Sequence, residues 1–128
     1  MSKLATVISV RGRKLDELLV NPDFVYVGRA VGRNWWPASK WGNPFPYPRF
    51  RDAVDQFRYR LALAISGEIL DSTWHAEEFR VMAVSLPELQ GKTLGCWCGH
   101  WEPGQPEIAC HAVVSAKAVN ALTLQGAR

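Results

Sequence analysis

Hydrophobic and polar positions follow patterns along the chain that predict three strands and three helices. Residues 4–10 and 23–29 are short β-branched and aromatic runs bounded by Gly, Pro, Asn or basic residues, which is typical of strands. Residues 92–98 read as a third strand. Apolar side chains recur at helical spacing over 49–66 and 73–86, and 109–122 is a helical segment rich in small apolar residues. The order β-β-α-α-β-α favours an α/β fold with a single small sheet and helices packed on it.

The first two predicted helices each have one apolar face. In 49–66 the positions expected to be buried are Phe50, Ala53, Val54, Phe57, Leu61 and Ala64. In 73–86 they are Trp74, Phe79, Met82, Ala83 and Leu86. Residues 30–48, by contrast, contain four prolines and two glycines, which excludes a regular element. A loop of this length in a compact domain suggests a functional segment.

Length and composition indicate one domain over residues 1–128. With 128 residues, of which 48% are hydrophobic, the chain is long enough to bury one hydrophobic core and too short to bury two of ordinary size. The sequence shows no secretory leader and no membrane-length apolar stretch, so we expect a cytoplasmic protein without a membrane partner. In a phage-encoded protein the compartment would be the host cytoplasm. Three cysteines, an odd number, argue against a disulfide framework.

The positive charge is concentrated in the first half of the chain. Residues 1–60 contain eleven Lys and Arg against five acids, whereas residues 61–128 contain four against seven. Three of the six tryptophans, at positions 35, 36 and 41, lie in the basic half. This asymmetry is compatible with an anionic partner and equally with ordinary solvated surface charge.

All three cysteines and two of the three histidines lie within residues 94–114. Because side chains alternate along a strand, Cys96 and Cys98 should share one face while Trp97 points to the other. Cys110 and His111 follow near the start of the last helix. The strand, the loop and the helix start should therefore gather the thiols and an imidazole at one end of the sheet.

Three interpretations of this cluster remain open. Cys96, Cys98, Cys110 and His111 have the ligand types of a structural zinc site, although their spacing departs from paired zinc knuckles. Alternatively, Cys110 at a helix start could be a nucleophile with His111 as its base, or the two could contact an anion. A third interpretation is that the thiols are buried apolar groups and that His111 caps the helix with its own hydrogen-bonding groups paired.

The basic half offers candidate ligand-binding residues. Arg29 follows a predicted strand and Gly28, and Lys40 lies in the motif SKWGNPF. These two cations could hold a phosphate while Asn43 reads a base edge and Trp41 stacks on a ring. In the alternative interpretation, Trp41 anchors the loop in the core and Asn43 begins a turn.

The motifs VYVGR, SKWGNPF, CWC and CH, found in this order, resemble those of domain-of-unknown-function family 4326, small proteins of phages and bacteria. The resemblance covers roughly residues 20–120, and the family's signature falls on Tyr26, Gly28, Arg29, Lys40, Trp41, Gly42, Asn43, Pro44, Phe45, Cys96, Trp97, Cys98, Cys110 and His111. It implies a phage-type accessory protein and no particular chemistry.

The leading hypothesis is a domain that binds, and could process, a nucleotide or another phosphate-bearing small molecule. Arg29 and Lys40 would contact the anion, and Cys110 and His111 would act beside it. A second hypothesis is docking on a host protein through Trp35 and Trp36. A third is a small zinc-stabilised nucleic-acid binder.

Overall fold

Three parallel strands form the sheet at the centre of the molecule. The structure is a computed structural model, and it describes residues 3–29, 36–45 and 50–126. Strand β1 is Thr6–Ser9, β2 is Phe24–Tyr26 and β3 is Thr93–Cys96, in the spatial order β1-β3-β2. The last strand in sequence is therefore the middle strand, and both pairings are parallel.

Four helices complete the order of elements. They are α1, Leu15–Leu18; α2, Phe50–Ile65; α3, Ala76–Ser85, which continues into a 3₁₀ turn, Leu86–Leu89; and α4, His111–Gly126. The α/β class and the three longer helices are as the sequence predicts. The short α1 was not predicted, because four residues are too few to show a helical period.

Each face of the sheet has its own apolar cluster. Side chains alternate across the strands, so Val7, Val25 and Leu94 join the main core under α2, α3 and α4. On the opposite face a smaller cluster, the tryptophan cluster, is formed by Val10, Phe24 and Trp36, with partly buried Ile8, Leu15, Leu18, Tyr26 and Trp97. The protein thus covers both faces of a parallel sheet, as such sheets require.

The predicted apolar stripe of α2 is confirmed at Ala53, Val54, Phe57 and Leu61, which are all buried. Ala64 is partly buried, and the Phe50 side chain lies outside the described part of the chain. These residues press α2 against α3 and α4 across the main core.

One prediction for the second helix was wrong. Phe79, Met82 and Leu86 are buried as expected, but Trp74 is 58% exposed. The helix begins at Ala76, and the preceding residue His75 has φ 62°, a left-handed conformation that breaks the helical period. The 3.6-residue spacing therefore does not extend back to Trp74.

Helix α4 is held under the start of β1 by a buried amide. The Ala5 N–H donates to Asn120 Oδ1 at 2.7 Å, and Asn120 Nδ2 donates to the Ala5 carbonyl at 3.1 Å. This pair fixes the far end of α4 near the start of β1 and so directs the helix start toward the end of the sheet where the strands finish.

The loop between β3 and α4 is also pinned to the sheet. Val7 and Trp101 form an antiparallel bridge, with Val7 N–H to Trp101 O at 2.9 Å and Trp101 N–H to Val7 O at 2.8 Å.

Among the described residues, no helix is both long and apolar enough to cross a membrane.

Candidate functional site

The carboxyl ends of the strands and the start of α4 meet at one edge of the sheet. Strand β3 ends at Cys96, and β2 is followed by the segment that contains Arg29. Cys110 immediately precedes α4, and its carbonyl accepts the Val113 and Val114 N–H groups of the first turn. Open α/β sheets bind their ligands at this edge, so its residues are the candidates for a functional site.

The three thiols converge here as the sequence predicts. The Sγ atoms of Cys96, Cys98 and Cys110 all lie within 4.8 Å of one another. Cys96 Sγ and Cys110 Sγ are 3.0 Å apart, and the Cys98 N–H points to Cys96 Sγ at 3.4 Å. Cys96 and Cys110 are fully buried, whereas Cys98 is half-buried. The expected alternation is also confirmed, because Cys96 and Cys98 adjoin the main core and Trp97 adjoins the tryptophan cluster.

Hydrogen bonding within this thiol cluster concentrates negative charge on Cys110. Hydrogen bonds from Cys96 and then Cys98 lower the pKa of the Cys110 thiol, against the opposing effect of its burial. The pKa values of Cys96 and Cys98 are raised, in each case first by the hydrogen bond to Cys110. Of the three thiols, Cys110 is therefore the one whose thiolate form these hydrogen bonds favour.

His111 is not part of the thiol cluster, which corrects the predicted set of four metal ligands. Its Nε2 lies 2.7 Å from the Val27 carbonyl oxygen, which can only accept, so Nε2 carries a proton and donates it. Burial lowers the pKa of His111, which keeps the ring neutral. The ring also packs edge-on against Phe57 at 5.5 Å between centroids. His111 thus connects the start of α4 to the end of β2.

The predicted anion-binding cations already have partners in the protein. Arg29 Nη2 donates to the Phe45 carbonyl at 2.5 Å. Lys40 Nζ pairs with Glu88 at 2.9 Å and lies 5.2 Å from the centre of the Trp41 ring. Their contacts hold the loop of residues 36–45 against the sheet and against the turn after α3.

The side chains of Trp41 and Asn43 are buried, and they too hold this loop in place. Trp41 is 4% exposed and belongs to the main core. Asn43 is buried, with Nδ2 donating to the Ala53 carbonyl at 2.9 Å and Oδ1 accepting the Phe45 N–H at 3.0 Å. The prediction that these side chains read a ligand is therefore not supported, whereas the alternative of a core anchor and a turn describes them well.

The residues proposed for docking on a host protein are likewise not available as a pair. Trp36 is 4% exposed and contacts Tyr26 and Trp97, with ring centroids 4.9 and 5.8 Å away. Trp35 lies outside the described residues. A buried ring that fills the tryptophan cluster cannot also be an exposed anchor.

Sequence reasoning missed a cleft at the carboxyl end of β1. It has a volume of about 630 Å³ and is lined by Gly12, Arg13, Lys14, Leu15, Asp16, Trp36 and Trp97. Within the described residues, neither Arg13 nor Lys14 forms an ion pair. The signal was the stretch VRGRK at residues 10–14, a glycine between basic residues directly after a predicted strand.

Trp97 joins the cleft to the thiol cluster. It stands between Cys96 and Cys98 in the sequence, and its ring lines the cleft. Its carbonyl accepts a hydrogen bond from Arg11 Nε at 2.5 Å, and its Nε1 donates to the Tyr26 hydroxyl at 3.1 Å. The cleft and the thiols therefore occupy opposite faces of the same sheet edge.

Fold and site together define a small α/β domain with a cysteine cluster at the carboxyl edge of a parallel sheet. The chain belongs to the family described as Domain of unknown function (DUF4326), whose model matches residues 10–121. It is also similar to Uncharacterized protein R718 of Acanthamoeba polyphaga mimivirus, with 30% identity over 88 residues. That match covers 67% of this chain and 57% of the viral protein, so the chain spans little more than half of its relative.

The family resemblance read from the motifs is thereby confirmed. No solved structure matches the chain. Neither the family description nor the relative's name states an activity, and the expected phage or bacterial origin stays a prediction.

Proposed function

We propose that this domain binds a nucleotide-like molecule, with a ring and a phosphate, in the cleft at the carboxyl end of β1. The observation that carries the proposal is the composition of this cleft, whose lining includes two exposed cations, Arg13 and Lys14, and two tryptophans, Trp36 and Trp97. A volume of about 630 Å³ suits a small molecule of nucleotide size.

Each part of such a ligand has a chemical counterpart in the cleft. Arg13 and Lys14 can donate charge-assisted hydrogen bonds to phosphate oxygens. Trp97 is half-buried and can stack on a base, because every base presents a π face. Asp16, also in the lining, can accept from a sugar hydroxyl or a base amine. The anion contacts proposed from sequence for Arg29 and Lys40 are thus transferred to Arg13 and Lys14.

The proposal is one of binding, without a covalent role for Cys110. A nucleophile must reach its substrate, and Cys110 is fully buried. His111, the base suggested for it, is neutral and donates its Nε2 proton to the Val27 carbonyl.

Calorimetric titration of the full chain with a panel of nucleoside mono-, di- and triphosphates, the free nucleosides and inorganic phosphate tests this proposal. We expect saturable binding of a nucleotide that weakens about tenfold or more in each of Arg13→Ala and Lys14→Ala, since hydrogen bonds to charged groups contribute about 1.5–3 kcal/mol. Added salt should weaken binding as well.

Lys40→Ala is the matched control, because Lys40 is also a lysine of the basic half but pairs with Glu88. Its affinity should equal that of the wild type. Unchanged binding in the Arg13→Ala/Lys14→Ala double variant would reject the cleft. Binding of a short single-stranded oligonucleotide in preference to every mononucleotide would replace the small-molecule proposal with a nucleic-acid one.

A further inference from the structure

We propose that Cys96, Cys98 and Cys110 bind one zinc ion as thiolates and leave its fourth coordination position to water or an incoming ligand. This metal centre goes beyond the proposed nucleotide cleft and does not depend on it, because the two lie on opposite faces of the sheet edge.

The sulfur positions are close to those that such an ion requires. Zinc–sulfur bonds of about 2.3 Å in a tetrahedral arrangement place the sulfurs about 3.8 Å apart. Here the three Sγ atoms lie within 4.8 Å of one another, and the shortest separation, Cys96 to Cys110, is 3.0 Å. Side-chain movements of about 1 Å would therefore equalise the three separations around one ion.

The chain holds these sulfurs together without a disulfide. Cys96 ends the central strand, Cys98 follows on the same side of the sheet, and Cys110 caps α4, which is tied to β2 by His111. All three are free cysteines. Three free thiols within 4.8 Å of one another, two from the end of the central strand and one from the start of α4, form a preorganised soft-ligand site of the kind that zinc prefers.

The surroundings also suit the charge of three thiolates and one divalent ion, which sum to −1. The Cys98 N–H points to Cys96 Sγ at 3.4 Å. Arg11, whose Nε bonds to the Trp97 carbonyl at 2.5 Å, places a cation beside the segment that carries Cys96 and Cys98. Such N–H and cationic contacts are the outer-sphere partners that stabilise bound thiolates.

No fourth protein ligand completes the site within the part of the chain that the structure describes. The group of converging ligand atoms contains the three thiols alone. His111 donates Nε2 to Val27, and the exposed His100 lies 3.5 Å from Glu102. Three protein ligands with one open position distinguish catalytic zinc sites from the closed four-ligand structural ones. The half-buried Cys98 is the member of the cluster nearest to solvent.

Titration of the reduced full chain with Co²⁺, followed by zinc displacement, tests the centre. We expect one metal ion per chain by native mass spectrometry and an absorption spectrum with tetrahedral d–d bands and sulfur-to-cobalt charge transfer. Cys98→Ser should reduce the charge-transfer intensity by about one third, because one of three thiolates is lost. His100→Ala is the control and should leave the spectrum unchanged.

A second measurement uses only the wild-type chain, so it does not depend on the folding of a variant. Zinc should protect all three thiols from a disulfide reagent, and a chelator should release one zinc ion together with three reactive thiols. A folded, reduced chain that binds neither Co²⁺ nor Zn²⁺, or one that binds them equally well after Cys98→Ser, would overturn the inference.

The two proposals fail separately. The Arg13→Ala/Lys14→Ala variant should keep the full cobalt spectrum, and Cys98→Ser should keep its affinity for the nucleotide. A wild-type chain that binds the nucleotide but no metal would remove the centre alone, and a wild-type chain that binds metal but no nucleotide would remove the cleft alone.

Discussion

At the scale of single residues, Asn43 shows how a side chain suited to recognition can be used for support. Its amide bonds the Ala53 carbonyl of α2 and the Phe45 N–H, so it fastens the loop of residues 36–45 to a helix. Nothing in SKWGNPF reveals that partner, because Ala53 lies in another element. The alternation of side chains along a strand, by contrast, depends only on neighbouring residues. It correctly placed Cys96 and Cys98 on the same side of the sheet.

Asn43→Ala should lower the free energy of unfolding by about 1–3 kcal/mol, because it removes both hydrogen bonds that the buried Asn43 amide makes. Urea unfolding measures this loss. Asn21→Ala is the control, since Asn21 accepts a similar bond from Asp23 N–H at 2.9 Å but is exposed. Its cost should stay below about 1 kcal/mol. Equal losses in both variants would contradict the structural role of Asn43.

Gly95→Ala should also destabilise the fold, here by about 1–3 kcal/mol, because a methyl group would overpack the tryptophan cluster. A Cβ at Gly95 would lie 2.5 Å from the Phe24 ring and 2.9 Å from Val10 Cγ1. Gly99→Ala is the matched control, since its Cβ would meet Ile108 at an ordinary 3.5 Å. Thermal denaturation compares the two. A Gly95→Ala protein as stable as Gly99→Ala would show that this face is loosely packed.

At the scale of elements, Glu107 ties together the parts that carry Cys110. Glu107 lies in the loop just before α4 begins. It pairs with Arg58 of α2 and, at 2.9 Å, with Lys117 of α4. Lys117, followed by Arg58, lowers the pKa of the Glu107 carboxyl. Such a group stabilises the fold at pH values above its unfolded pKa, and the effect is lost as the pH falls through the folded value.

Glu107→Gln should therefore lower stability at pH 7 by up to about 1 kcal/mol, since partly exposed ion pairs contribute little more. The difference from wild type should be smaller at pH 3 than at pH 7, because a lower pH favours the protonated form of the wild-type carboxyl. Urea unfolding at both pH values measures it. Glu68→Gln, an exposed change on the loop after α2, should have no effect at pH 7. A Glu107→Gln deficit that persists unchanged at pH 3 would exclude an electrostatic origin.

The long elements could be predicted because their signals are periodic. Helices α2 and α3 and all three strands fall within the predicted segments, and α4 begins within its segment but continues past residue 122 to Gly126. The middle position of β3 could not be predicted, because pairing depends on contacts distant in sequence. The cleft was missed for the same reason, since its walls come from residues 12–16, Trp36 and Trp97.

At the scale of the whole molecule, the binding of a metal ion to the thiol cluster would stabilise the folded chain. The thiol cluster joins the central strand to the last helix, so an ion held there binds the folded state in preference to the unfolded one. The single domain over residues 1–128 and the cytoplasmic location stay predictions at this scale.

Free zinc at a hundred times its dissociation constant should stabilise the reduced fold by about 2.7 kcal/mol. For a chain of 128 residues this raises Tm by roughly 10 °C. Calorimetry with zinc and with excess chelator measures the shift, and Cys98→Ser should reduce it. A Tm that is identical under both conditions would contradict coupling between metal and fold.

The bridge between Val7 and Trp101 has a practical consequence for protein engineering. It anchors the connecting loop on one side, and the ion pairs of Glu107 anchor it on the other, so the exposed Pro106 stands between two fixed points. A reporter peptide inserted after Pro106 should project into solvent while the backbone at Cys98 and Cys110 keeps its place. This position would accept a label for following ligands at the sheet edge.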